Sequence, residues 1–110
     1  ETWLQSGTDI DAILCLNDDM AMGTQLAVEQ AGKSDDIIVC GVNGDPDGIN
    51  AVRDGKIAAT VFQKSRPQAE EALEAALQYI HGEKPESKIM IPFELVTADN
   101  VDDYVQYSQK

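Results

Sequence analysis

Residues that commonly carry chemistry are scarce in this chain. It has a single histidine, two cysteines and one tryptophan among 110 residues, and aromatics make up only 5%. The 8 basic residues stand against 20 acidic ones, a net charge of -12. A segment this acidic repels nucleic acid and anionic membrane surfaces. No apolar run is long enough to span a bilayer, and no secretory leader pattern is present. Cys15 and Cys40 lie in strand-like apolar runs, where buried thiols acting as small hydrophobes are expected. Adjacent parallel strands are poor disulfide geometry, and the spacing of the two cysteines fits no metal site. His81 falls in the last turn of a helical pattern, beside free carbonyls or solvent. There is no Gly-x-Ser-x-Gly elbow, Gly-x-Gly-x-x-Gly fingerprint or Walker loop. No catalytic residue, metal ligand or cofactor is therefore expected, and the chain does not read as an enzyme.

What is present is a short alternation of apolar runs and helical stripes. The length permits one domain at most, and 43% apolar content makes it globular. Glu1-Thr2-Trp3-Leu4-Gln5-Ser6-Gly7 reads as the last turn of a helix closed by glycine, as if the chain began inside a longer protein, with Trp3 in core or helix-end packing. Ala12-Ile13-Leu14-Cys15-Leu16 is a first strand, followed by Asp18 or Asp19 as N-cap of a helix that Gly32 stops. Ile37-Ile38-Val39-Cys40-Gly41-Val42 is apolar on both faces, which suits a strand between two helix layers. Pro46 opens a short helix over 47–53, and Ile57-Ala58-Ala59-Thr60-Val61-Phe62 is a third strand. Ser65-Arg66-Pro67-Gln68 has capping-box spacing, and Ala69, Ala72, Leu73, Ala76, Leu77 and Ile80 form an amphipathic stripe ended by Gly82. Ile89, Ile91, Phe93 and Leu95 alternate with Met90, Pro92 and Glu94 as in an edge strand, and the polar tail from Asp99 holds one helical turn. The pattern is α/β: a Rossmann-like parallel sheet with flanking helices.

Three strand tips end on amides: Asn17, Asn43 and Gln63. In open α/β sheets, ligands sit at the carboxyl ends of the strands. An amide offers one acceptor and two donors, which suits a neutral, hydroxyl-rich ligand. Each tip alone is weak evidence, since Asn and Gln also serve turns. Asp18 and Asp19 admit a different idea, a Mg²⁺-dependent phosphoacceptor domain with Asp45 as acceptor and Thr60 and Lys64 as helpers. The spacing fits poorly, because the acceptor follows the acid pair by one strand only, and helix capping explains the acids.

Several segments, taken in order, resemble the second half of periplasmic sugar-binding proteins of the ribose-binding type, in the lac-repressor-like superfamily. They are Asn17-Asp18-Asp19-Met20-Ala21-Met22-Gly23, Ala31-Gly32-Lys33, Gly41-Val42-Asn43-Gly44-Asp45-Pro46-Asp47-Gly48, Asp54-Gly55-Lys56-Ile57-Ala58-Ala59-Thr60-Val61-Phe62-Gln63 and Leu95-Val96-Thr97-Ala98-Asp99-Asn100-Val101. The resemblance implies two Rossmann-like lobes closing on a monosaccharide, with Asn17, Asn43 and Gln63 as the far lobe's contribution. The family usually has Asp where this chain has Asn43, and an amide trades one acceptor for a donor. That suits a sugar-like ligand carrying a carbonyl or carboxylate nearby.

The resemblance also implies a fragment: residues 9–63 as part of one lobe, 64–88 as a helix crossing to the other, and 89–110 as a return strand and tail. The implied partners are a sugar-like small molecule and the membrane permease of an ABC-type transporter or a receptor, with a periplasmic or extracellular location. The alternative within the same fold is the effector-binding part of a lac-repressor-like regulator or a membrane sensor. A chain cut out in this way exposes the 69–80 stripe, so self-association or pairing with the missing half is expected.

Overall fold

Short apolar runs punctuated by glycines and helix caps produce ten elements among the described residues. In the computed structural model, which describes residues 1–107, the order is α1 (Thr2–Gln5), β1 (Ala12–Leu14), α2 (Asp18–Gln30), β2 (Ile38–Cys40), α3 (Pro46–Arg53), β3 (Ala59–Phe62), α4 (Ser65–Ile80) and β4 (Glu94–Thr97). Two 3-10 turns follow, Val101–Asp103 and Val105–Tyr107. They replace the single helical turn expected in the tail, whose last three residues, 108–110, lie outside the described residues. The chain divides into two units, one made of residues 1–62 with those from Glu94 onward, the other Gln63–Phe93.

In the first unit the sheet order is β1-β2-β3-β4. The first three strands are parallel, with Ile13 beside Val39 and Cys40 beside Ala59. The fourth runs antiparallel to β3, pairing Ala59 with Thr97 and Phe62 with Glu94. The expected edge strand is thus shorter and later than its alternation suggests. Residues 89–93 carry no strand, because pairing stops at Phe62, the last residue of β3.

The core lies on one face of this sheet. Cys15, Val39 and Val96 are buried there with Ala21 and Val28 of α2 and Ile49, Ala51 and Val52 of α3. Helix α2 stops where expected, with Gly32 at φ 66 past its end. The two-layer cover predicted for the second strand is corrected here. Ile38 is 55% exposed, Leu14 73% and Leu95 60%. Both crossover helices return to the same side of the sheet, so within this unit the opposite face meets water. Cys40 is accordingly half-buried and only Cys15 is buried; both are free thiols. Trp3 is also 68% exposed rather than packed in the core or at its helix end.

The second unit is built on α4. Its first residue is Ser65 and its cap is Lys64, which makes no side-chain capping bond, so the predicted capping box does not form. Ser65 lies inside the helix, one position too late to cap it. The stripe Ala69, Ala72, Leu73, Ala76, Leu77 and Ile80 is exposed throughout.

Candidate ligand-binding site at the strand tips

Asn17 stands just past β1 in extended backbone, and its Oδ1 accepts from the Met20 N–H at 2.8 Å. It is therefore the N-cap of α2. That corrects the assignment to Asp18 or Asp19, and the reason is the local backbone. Asn17 is the last non-helical residue, and Asp18, the first helical one, is turned into the protein. With its acceptor engaged in the cap, Asn17 keeps its amide N–H donors for other partners.

Asn43 lies past β2, and its N–H donates to the Val61 carbonyl at 3.0 Å. That bond forms an isolated parallel bridge with Phe62, so β3 holds the residue from one side. Its φ is 127°, which makes it the single non-glycine residue with positive φ among those described. At 127° it lies beyond the αL well that Asn tolerates, and such a backbone costs about 1–3 kcal/mol unless its surroundings enforce it. Gly44 follows at φ 65, and a side chain there would meet the Phe62 backbone at 2.7 Å. Asp45 then caps α3, accepting from the Gly48 N–H at 2.8 Å, with Pro46 in the first turn.

Gln63 directly follows Phe62, the end of β3, and is half-buried. Asn17 and Asn43 fall in the first unit, at the carboxyl ends of neighbouring strands, while Gln63 is the first residue of the second.

Behind Asn43 lies a residue that the sequence did not single out as part of the site. Asp18 is fully buried, and three donors converge on its carboxylate. Oδ2 accepts from the Gly44 N–H at 2.8 Å and the Asp45 N–H at 3.2 Å, and Oδ1 accepts from the Thr60 hydroxyl at 2.6 Å. Thr60, itself buried, also accepts from the Gly44 N–H at 3.2 Å. Burial pushes the Asp18 carboxyl above its usual range. The bonds from Thr60, Asp45 and Gly44 oppose that rise, while the Asp45 carboxylate adds to it. The signal in the sequence was indirect. Gly41 and Gly48 sit in a strand exit and a helix, with no positive φ to explain them. A side chain at either position would strike the Asp18 carboxylate. These bonds also remove the basis for a phosphoacceptor site. Both Asp18 oxygens are occupied, Asp45 caps a helix, and Thr60 donates to Asp18.

A groove of about 430 Å³ lies beside α1 and α2, lined by Trp3, Leu4, Ile13, Met20 and Thr24 among others, and none of the three amides borders it.

Residues 1–84 match the family described as periplasmic binding protein domain. The ribose import binding protein RbsB of Escherichia coli (strain K12) is 40% identical over 93 residues, which cover 84% of this chain and 31% of that protein. Two solved ABC transporter solute-binding proteins superpose closely. One, from Bacillus halodurans C-125 with bound myo-inositol, has a TM-score of 0.86 at 44% identity, covering 96% of this chain and 37% of that one. The other, from Actinobacillus succinogenes 130z with bound D-allose, also has a TM-score of 0.86, at 31% identity, covering 94% of this chain and 36% of that one. The chain spans about a third of the length of the curated relatives it matches.

Proposed function

The chain belongs to the periplasmic binding protein domain family, and from that premise we propose that it forms part of one lobe of a sugar-binding protein serving an ABC-type importer. The ligand is a sugar or a sugar-like polyol bound between two lobes, and Asn17, Asn43 and Gln63 are this chain's contribution. The observation that carries this is Asn43. A non-glycine residue held at φ 127° at the carboxyl end of a parallel strand is the kind of enforced strain that accompanies binding sites. Relatives named for ribose and solved with myo-inositol or D-allose support the ligand class. Binding rather than catalysis is supported by Asp18, the one buried acid among the described residues, whose two oxygens are held by structure. The protein works in the periplasm or outside the cell and hands its ligand to a membrane permease. Residues 9–63 belong to one lobe, 64–88 cross to the other, and 89–110 return.

Isothermal titration of the full-length protein with D-ribose, myo-inositol and D-allose tests the assignment. At least one should bind, and Asn17→Ala, Asn43→Ala and Gln63→Ala should each weaken it about tenfold or more, as expected when a buried polar contact is lost. Unchanged affinity in all three variants would remove these residues from the site.

A further inference from the structure

We propose that Asp18 is a positioning residue for the ligand site, fixing Asn43 in the backbone conformation from which its amide meets the ligand. The role presupposes Asn43 as a ligand group. Asn43 is clamped from both sides: its own N–H is held by the Val61 carbonyl, and the next two N–H groups, of Gly44 and Asp45, converge on Asp18 Oδ2. Those two peptides cannot rotate without abandoning a buried carboxylate, and charge-assisted bonds are the stronger kind. The Thr60 hydroxyl fixes the other oxygen, so the carboxylate cannot swing away. Gly41 and Gly48 leave the space in which it lies. A carboxylate accepts from all three converging donors, whereas an amide would turn an N–H toward the Thr60 hydroxyl and reverse that bond. Asp18 is also out of reach of solvent, so it acts through Asn43 and not on the ligand.

The test uses the ¹⁵N-labelled full-length protein. Without ligand, the three-bond HN–Hα coupling of residue 43 reports its φ. Asp18→Asn should move that coupling toward the value of an ordinary negative φ. Thr60→Val, which keeps shape and removes the hydroxyl, should move it in the same direction and decides the matter if Asp18→Asn does not fold. With myo-inositol as probe, Asp18→Asn should weaken binding about tenfold, and it should add little in an Asn43→Ala background, since residues that act as a unit are not additive. An unchanged coupling in the folded variants, or losses that add in full, would overturn the proposal. If Asn43→Ala leaves myo-inositol affinity intact, it is the ligand role of Asn43 that fails, while the coupling still judges Asp18.

Discussion

Two glycines inside helices should respond oppositely to the same substitution. Gly23 lies within α2 and Gly48 within α3, and neither has a positive φ. Replacing a helical glycine with alanine ordinarily gains about 1 kcal/mol by restricting the unfolded chain. At Gly23 an added Cβ meets nothing within 4 Å, so Gly23→Ala should gain about that amount. At Gly48 the added Cβ would lie 2.8 Å from the Asp18 Cβ and collide with its carboxyl group. Overpacking of this kind costs about 1–3 kcal/mol. The displaced carboxylate would also lose at least one of its bonds, each worth about 1.5–3 kcal/mol to a charged group. Set against the helix gain, Gly48→Ala should lose about 1.5–5 kcal/mol net, a large share of a small domain's margin of about 5–15. Urea unfolding of the 110-residue chain, followed by far-ultraviolet circular dichroism at low concentration, reads both. A Gly48→Ala midpoint at or above wild type would mean that Asp18 is not wedged against α3.

Three further outcomes follow from the same contacts. Because burial raises the Asp18 carboxyl in the folded state, its ionisation disfavours folding, so the stability of wild type minus that of Asp18→Asn should fall as pH rises from about 3.9 through the folded value; a difference that grows over that range in paired urea titrations would contradict the burial argument. The isolated chain, with the 69–80 stripe in water and Leu73 63% exposed, should self-associate at micromolar concentration, and Leu73→Glu with Leu77→Glu should reduce the mass seen by light scattering; a monomeric wild type would refute this. In the full-length protein, Asn43→Asp should shift preference toward a plain pentose or hexose by restoring a charged acceptor, worth about 1.5–3 kcal/mol per bond, and unchanged relative affinities across a sugar panel would place Asn43 outside the contact.

The sequence disclosed whatever depends on local chemistry. Gly32 and Gly55 end α2 and α3 with the positive φ that only glycine supplies cheaply, and Pro46 opens α3. The centres of the first three strands were legible because an apolar run needs only burial, while their ends were not, because a strand lasts as long as its neighbour pairs with it. β4 shows this most clearly: the alternation begins at Ile89, but pairing ends opposite Phe62. Of the site, the amides were visible because they terminate apolar runs. Asp18 was not, because two adjacent acids at a helix start read as exposed caps, and only a tertiary fold decides which one turns inward. The bare face of β2 was hidden for a related reason, since an apolar run does not by itself say which of its faces a helix covers.

The bonds of Asp18 also impose an order of assembly. Its partners lie 26 residues away at Gly44 and 42 away at Thr60, so no local turn preference can set the backbone of Asn43. The loop acquires its shape only when β3 has docked beside β2, after two long loops have been closed at an entropic cost that local helix formation does not meet. On a ribosome, α2 can form while Thr60 is still unmade, but the loop around Asn43 cannot take its final shape. The backbone of Asn43 is therefore settled only after the chain has been made as far as Thr60.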